Sequence, residues 1–296
     1  MKLLEQLRNK VDTALGQYLP AKGLFPKPIH QAMRYSVMAG GKRLRPILAL
    51  LTGRMLGAPE NKTMPAACSL ELVHTYSLIH DDLPAMDNDD LRRGKPTCHK
   101  VYGEAMAILA GDALLTYAFQ LIADKTADKK LVPALVSELA VASGSTGMIG
   151  GQVLDIAASG KNNRYFKSLD SLNLCGEIHL RKTAMMITAS CRMGAIIAGA
   201  DKASLDRVTG YGQNLGLAFQ IVDDILDVVG EKNQLGKTPG KDQAQHKLTY
   251  PALKGIKSAE AEAIKLITTA KSNLKPFGSR AKQLTELADY IVSRQS

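Results

Sequence analysis

The most informative feature of this 296-residue chain is a pair of aspartate-rich stretches, Ile79-His80-Asp81-Asp82-Leu83-Pro84-Ala85-Met86-Asp87 and Phe219-Gln220-Ile221-Val222-Asp223-Asp224-Ile225-Leu226-Asp227. Each stretch ends an apolar run with the three- and four-residue spacing of a helix. A carboxylate at the inner end of an apolar helix is costly to bury unless something neutralises it. We therefore expect the two clusters to meet inside a helical protein and to share divalent cations.

The rest of the chain also has helical spacing. Apolar residues recur every three or four positions, as in Leu131, Leu135 and Leu139, while alternating strand patterns are scarce. Prolines concentrate before residue 100 and are absent from 134–238, which therefore predicts several long helices. With no linker, low-complexity tract or fixed-period repeat, the sequence predicts one all-α domain over residues 1–296.

The ligand chemistry of the clusters favours magnesium. No Cys or His lies between the acids of either cluster, which argues against zinc and copper. Magnesium usually completes its coordination with water and substrate phosphate, so the clusters indicate a phosphorylated substrate. Pro84 is expected to end or kink the first helix, so that Asp87 can turn back toward Asp81. His74 should share a helical face with Asp81, as Gln220 should with the second cluster.

Three basic segments suit such a substrate. They are Gly40-Gly41-Lys42-Arg43-Leu44-Arg45-Pro46, Leu91-Arg92-Arg93-Gly94-Lys95-Pro96 and Leu235-Gly236-Lys237-Thr238-Pro239-Gly240-Lys241-Asp242. Arginine donates two hydrogen bonds to a phosphate, and lysine supplies a mobile point charge. The third segment, rich in glycine, proline and lysine, is expected to act as a lid over bound charge.

Bulk composition narrows the classes of function. The net charge of +10 could serve nucleic acid, an anionic membrane or anionic small substrates. Nucleic acid is disfavoured because the chain has no Trp and only 5 Phe for base stacking. The four cysteines form no metal spacing and fit reduced thiols in a cytoplasmic protein. No membrane span is expected, since the apolar stretch Thr183–Ala200 is short and contains Arg192.

Further motifs follow in chain order: Asp90-Leu91-Arg92-Arg93-Gly94 after the first cluster, Gly150-Gly151-Gln152 with Asp155, and Lys182-Thr183. Together with the segment 40–46 and the two clusters, they resemble the trans-isoprenyl diphosphate synthases over most of the chain. The resemblance is closest to bacterial short-chain members that make farnesyl diphosphate, because four residues separate the first Asp pair from the last Asp. One departure is Ala184, where relatives often have Gly.

The resemblance implies a fold, a reaction and a set of ligands. The fold would be a bundle of long helices around a central cavity, forming a homodimer with three magnesium ions per active site. The metal ligands and their supports would be Asp81, Asp82, Asp87, Asp223, Asp224 and Asp227. Isopentenyl diphosphate would be condensed with dimethylallyl or geranyl diphosphate by ionisation of the allylic C–O bond.

The resemblance also implies how the substrates would be held. The allylic diphosphate would meet Arg92, Lys182 and Lys237. The diphosphate of isopentenyl diphosphate would meet Lys42, Arg45, His74 and Arg93. Thr183 and Gln220 would face the reacting carbons, and Tyr76 with Ser77 would set the chain length of the product.

Other interpretations stay open at this point. A geranylgeranyl or geranyl diphosphate synthase would share the same motifs. A non-catalytic partner subunit of a longer-chain synthase would be expected to lack part of an acid cluster, and both are intact. A terpene cyclase would leave Lys42, Arg45 and Arg93 unexplained, and a nucleic-acid binder would be insensitive to magnesium but strongly salt-dependent.

Overall fold

The computed structural model describes residues 2–159, 170–229 and 248–293. Most of these residues are helical and only two short strands occur among them, so the prediction of an all-α protein is confirmed. The helices are α1 (Lys2–Tyr18), α2 (Lys27–Val37), α3 (Leu44–Met55), α4 (Glu60–Asp81), α5 (Cys98–Tyr102), α6 (Glu104–Lys125), α7 (Val132–Ser143), α8 (Met148–Ser159), α9 (Ser171–Ile178), α10 (Met185–Ile197), α11 (Lys202–Val229), α12 (Tyr250–Lys254), α13 (Ile256–Leu274) and α14 (Lys282–Ser293). The prediction of a single domain over 1–296 stays a prediction.

Helix α3 lies at the centre of the packing. Its residues 46–53 are all buried, as expected of a helix surrounded by others, and it packs against α4 and α10. Gly194 of α10 allows a close approach, because a Cβ there would lie 2.3 Å from the carbonyl oxygen of Ala49. Helix α4 also packs against α6, and α11 packs against α10 and α13. The two aspartate stretches therefore end helices that belong to one packed core.

The chain reverses at the end of α4 as the sequence predicted. Helix α4 stops at Asp81, three residues before Pro84. The backbone N–H of Asp87 then donates to the carbonyl oxygen of Asp81, with 2.8 Å between the two atoms. This hydrogen bond confirms that Asp87 turns back toward Asp81.

A short hairpin follows that the sequence did not predict. Strands β1 (Leu91–Arg92) and β2 (Lys95–Pro96) pair in antiparallel fashion. The two residues between them, Arg93 and Gly94, both have positive φ, at 55° and 74°. Two-residue hairpin loops favour this left-handed geometry because it matches the twist of the strands. With two residues in each strand, the run 91–96 is too short to show the alternation of apolar and polar residues by which strands are recognised in a sequence.

A π-helical segment, His179–Ala184, joins α9 to α10. Two glycines on neighbouring helices make room for its backbone. A Cβ on Gly151 of α8 would lie 2.2 Å from the backbone nitrogen of Lys182, and one on Gly216 of α11 would lie 2.5 Å from the Cα of Ala184. Such widened turns are frequent at functional sites. Here the segment carries both Lys182 and Thr183.

Two helical stretches, Glu104–Lys125 and Lys129–Ser159, are long and apolar enough to span a membrane by length and composition. The sequence argument, which looked at Thr183–Ala200, missed both. In their most apolar windows, 39% and 33% of the residues are buried. The core helix of a soluble protein passes the same test, so the finding is weak evidence for a span.

Candidate active site

The Asp81 carboxyl lies among other charges at the end of α4. Its pKa is raised to about 6, chiefly by burial and also by the nearby Asp87 and Asp82, while Lys182 and Arg92 act in the opposite direction. Like charges held together in this way disfavour ionisation. The first cluster is therefore a site where a cation would relieve an unfavourable charge.

Two adjacent residues, Lys182 and Thr183, connect the two clusters: Lys182 acts by its charge on the first, and Thr183 leads by hydrogen bonds to the second. The Nζ of Lys182 is 2.5 Å from Asp155 Oδ2 on α8, and its charge also acts on Asp81. The adjacent Thr183 donates its hydroxyl to Gln220 Oε1 at 2.7 Å. Gln220 in turn donates to Asp224 Oδ1 at 3.0 Å. The π-helical segment thus lies between the two aspartate clusters, with Lys182 near the first and Thr183 connected to the second.

Asp224 is buried and bonded to the protein on several sides. Its Oδ2 lies 3.1 Å from His179 Nε2 and accepts the backbone N–H of Tyr250 at 3.1 Å. Although burial lowers the pKa of His179, hydrogen bonds to Asp224 and Cys175 outweigh it and raise the pKa overall. Sequence reasoning missed His179, and the only available signal was its place three residues before Lys182.

Arg92 and Asp82 form a buried pair beside the first cluster. Arg92 Nε donates to Asp82 Oδ1 at 2.9 Å, and its Nη2 bonds both Asp82 and Asp89. Burial lowers the pKa of Arg92, but the bonds to Asp82 raise it overall. Asp82 is therefore placed to orient Arg92, a role compatible with its assignment as a supporting residue.

The basic side chains predicted to hold the second diphosphate lie together. Burial lowers the pKa of His74 well below its usual value, and the charges of Arg45 and Arg93 lower it further. His74 is therefore a neutral imidazole at neutral pH. Burial also lowers the pKa of Arg45 and Arg93, and Asp223 lies close enough to Arg45 to act on it. The buried Nε of Arg45 has no hydrogen-bond partner among the described residues.

The neighbouring residues Lys42 and Arg43 differ in how far their side chains are exposed. Lys42, in the first basic segment, is exposed. Arg43 is buried, with a side chain that is 0% exposed, and it bonds Asp12 and Glu71. The first of the two arginines in the segment is thus an internal structural residue. Its sequence gave no sign of this, because both carboxylate partners come from other helices.

The two residues predicted to set product length lie on α4. Tyr76 is buried, and its ring meets that of His80 edge-on with 5.7 Å between centroids. Its hydroxyl has no partner within the described part of the chain. Ser77 donates its hydroxyl to the carbonyl oxygen of His74 at 2.9 Å. Lys237 and the predicted lid fall in 230–247, outside the described residues.

A magnesium ion at the aspartates would have to take part of its coordination from outside the protein. Within the described ranges, no three His, Cys, Asp or Glu side chains are grouped closely enough to hold a metal ion. Magnesium commonly binds through one or two carboxylates and takes its remaining ligands from water and phosphate. The raised pKa of Asp81 is the observation that favours a cation at the first cluster.

Comparison with known proteins identifies the family. The model of the polyprenyl synthetase family matches residues 26–287. The chain therefore belongs to the polyprenyl synthetases, which are trans-prenyltransferases.

The relatives differ in the product that their names state. Farnesyl diphosphate synthase of Escherichia coli is 45% identical over 98% of this chain and 97% of its own length. Geranylgeranyl diphosphate synthase of Cyanophora paradoxa is 42% identical over 99% of this chain and 96% of its own length. An FPP/GFPP synthase structure from Zymomonas mobilis superposes with a TM-score of 0.85 at 35% identity, covering 99% and 98% of the two chains.

Proposed function

We propose that this prenyltransferase condenses isopentenyl diphosphate with dimethylallyl and then geranyl diphosphate to give farnesyl diphosphate. The observation that supports this best is the π-helical segment between the two aspartate clusters, with Lys182 near Asp81 and Thr183 bonded to Gln220. A separate group of basic residues, Arg45 and Arg93 with His74, provides for a second diphosphate. Two diphosphate sites fit a condensation better than a cyclisation.

The aspartates would hold three magnesium ions. Asp81 and Asp87 would bind two and Asp223 the third, with Asp82, Asp224 and Asp227 as supports or holding coordinated water. When bound, the ions supply Lewis-acid stabilisation of the negative charge that develops on the allylic diphosphate.

The chain's own residues would bind and orient the allylic substrate. Arg92, fixed by Asp82 and Asp89, and Lys182, fixed by Asp155, would donate to its diphosphate oxygens. Lys237 would add a third cation. Arg92 and Lys182 are already held by these carboxylates, so little reorganisation of the two side chains is needed for binding. Positive charge held where the leaving group develops negative charge favours the ionising transition state.

Isopentenyl diphosphate would lie against the second group of basic residues. Lys42, Arg45 and Arg93 would bind its diphosphate, and the neutral imidazole of His74 would donate a hydrogen bond rather than a charge. Thr183 and Gln220, hydrogen-bonded to each other, would face the reacting carbons. Neither side chain is a base of useful strength, so the departing diphosphate is the proposed acceptor of the proton lost after carbon–carbon bond formation.

A product of twenty carbons is the second candidate, because the relatives include geranylgeranyl diphosphate synthases. Tyr76 favours the shorter product. It precedes Asp81 by five residues on α4, roughly 7–8 Å along the helix axis. A bulky ring at that depth would limit a chain that grows from the metal site toward the start of the helix.

We also propose a cytoplasmic homodimer that does not bind nucleic acid. Two alternatives to a protein that stays off the membrane remain. The net charge of +10 would suit attraction to anionic lipid, and the two long apolar helical stretches would suit a membrane span. The dimer accounts for the exposed apolar side chains of α6 and α8, among them Leu109, Val153 and Ile156.

The test is incubation of the purified protein with isopentenyl and dimethylallyl diphosphates, with and without magnesium, followed by separation of products by chain length. Magnesium-dependent farnesyl diphosphate is the expected product. A twenty-carbon product would select the second candidate. Absence of any condensation, with both substrates and magnesium present, would contradict prenyl transfer and favour a non-catalytic partner subunit.

A further inference from the structure

The loop before α3 has an unusual backbone. Gly40, Gly41 and Arg43 have φ angles of 96°, 127° and 51°. Glycine adopts such angles freely, but a residue with a Cβ is strained there and persists only where its surroundings hold it. The conformation of Arg43 therefore needs a physical cause.

Its side chain supplies that cause. Arg43 Nε donates to Asp12 Oδ1 of α1 and Nη1 donates to Glu71 Oε1 of α4, both at 2.7 Å. Nη2 donates to the carbonyl oxygen of Val37, the last residue of α2, at 2.6 Å. The planar guanidinium can make these three divergent bonds at once, which an ammonium group cannot match in geometry. Arg43 thus ties the loop to three helices.

The same loop determines where two other arginines lie. Arg45 is in the first turn of α3, directly after the loop. Arg93 Nη1 donates to the carbonyl oxygen of Gly40, and its guanidinium lies against Gly41, where a Cβ would be 2.5 Å from Arg93 Cζ. A shift of the loop would therefore displace both arginines proposed to bind isopentenyl diphosphate.

We propose that Arg43, held by Glu71 and Asp12, is a positioning residue that fixes the isopentenyl diphosphate half of the site before substrate binds. This inference rests on the proposed function of that site. Arg43 itself is buried and acts only through Arg45 and Arg93. The allylic half has its own supports, Asp82 for Arg92 and Asp155 for Lys182, so it should not depend on Arg43.

The test replaces Arg43 with Lys, which keeps the charge and removes the three-way geometry. We expect the KM for isopentenyl diphosphate to rise about tenfold or more, as when a buried charged hydrogen bond is lost. The KM for the allylic substrate and kcat should change by less than about twofold. Calorimetric titration of isopentenyl diphosphate, without allylic substrate, should show the same loss of affinity.

Arg54→Lys is the matched control. Arg54 lies near the C-terminal end of α3, the end opposite Arg43, and also joins neighbouring helices through Glu60 and Gln283. Its replacement should leave both KM values unchanged. If Arg43→Lys fails to fold, Asp12→Ala removes one of the three bonds from a more exposed position, and its KM for isopentenyl diphosphate alone should rise.

The outcomes separate this inference from the proposed function. Failure of the wild-type protein to condense isopentenyl diphosphate would overturn the proposed function. An active wild type, with Arg43→Lys at unchanged KM or with both KM values raised equally, would overturn only the positioning role. An unchanged KM for isopentenyl diphosphate in Asp12→Ala would also overturn the positioning role of Arg43.

Discussion

Asp81 shows at the scale of one residue how function opposes stability. Its carboxyl has a pKa of about 6 in the folded protein, raised from 3.8 by burial and by the neighbouring acids. The folded state therefore holds more protons than the unfolded state between about pH 4 and 6. By linkage, the free energy of unfolding of the metal-free protein falls as pH rises through that window. Above it, the ionised carboxylate is a persistent cost.

We predict that Asp81→Asn stabilises the metal-free protein while nearly abolishing turnover. The substitution removes the unfavourable charge, so the free energy of unfolding at pH 8 should rise by on the order of 1–3 kcal/mol. Turnover should fall severely, because the lost carboxylate is proposed to bind metal in the ionising transition state. Denaturant unfolding in chelator at pH 8 and at pH 4 measures the first effect, which should vanish at the lower pH.

Magnesium binding provides a second test of the role of Asp81. Bound ligand stabilises the folded state, so magnesium with diphosphate should raise the Tm of the wild type more than that of Asp81→Asn. A variant that is less stable than the wild type in chelator at pH 8 would contradict the account of Asp81.

At the scale of single elements, the sequence predicted the helix α4 and its end, but not the contacts that other residues make with distant parts of the chain. Apolar spacing placed the helix, and Pro84 placed its end and the return of Asp87, because these depend on local chemistry. Other features depend on residues that are distant in sequence. Arg43 is buried against Glu71, 28 residues further along the chain, and His179 contacts Asp224, 45 residues further along. Periodicity within one helix carries no information about such pairs.

The π-helical segment leads to a prediction for Gly151. A Cβ at this position would meet the backbone of Lys182, which cannot move without shifting Thr183. Gly151→Ala should destabilise the protein by about 1–3 kcal/mol, as overpacking does. It should also lower kcat, since Lys182 and Thr183 would leave their positions. Urea unfolding and steady-state kinetics measure the two effects.

Gly176→Ala on α9 is the matched control for Gly151. A Cβ at Gly176 meets nothing within 4 Å, so alanine should stabilise the helix by up to about 1 kcal/mol and leave kcat unchanged. Equal effects of the two substitutions would show that the contact with Lys182 is unimportant.

Helix α4 also carries the prediction about product length. If Tyr76 blocks the growing chain, Tyr76→Ala should shift the product from fifteen to twenty or more carbons. If Tyr76 only packs in the core, truncation should cost about 3–5 kcal/mol, as for other large buried rings, and leave the product unchanged. Separation of radiolabelled products by chain length decides between these outcomes.

Tyr76→Phe is the control because it keeps the ring. The hydroxyl has no partner among the described residues, so its removal should cost little stability and leave the product at fifteen carbons. Longer products from Tyr76→Phe would mean that the hydroxyl, rather than the bulk of the ring, limits the chain.

At the scale of the whole molecule, exposed apolar side chains occur on α6, α7 and α8. Ile149, Val153 and Ile156 follow one another at spacings of four and three residues on α8, so they form a stripe on one helical face. Leu109 of α6 and Val141 of α7 are also more than half exposed. Exposed apolar stripes such as the one on α8 are typical of interaction sites. A homodimer interface would cover the helices that pass the length and composition test for a membrane span.

We predict that Val153→Arg converts the dimer to a monomer. An arginine in the middle of the stripe would bury an unpaired charge in the interface, which costs several kcal/mol. Sedimentation velocity at micromolar concentration should show a dimer for the wild type and a monomer for the variant. Ile264→Arg is the control, since Ile264 is equally exposed, at 59%, but lies on α13 away from α6, α7 and α8. A wild type that is monomeric and pellets with phospholipid vesicles would instead assign the stripe to a membrane surface.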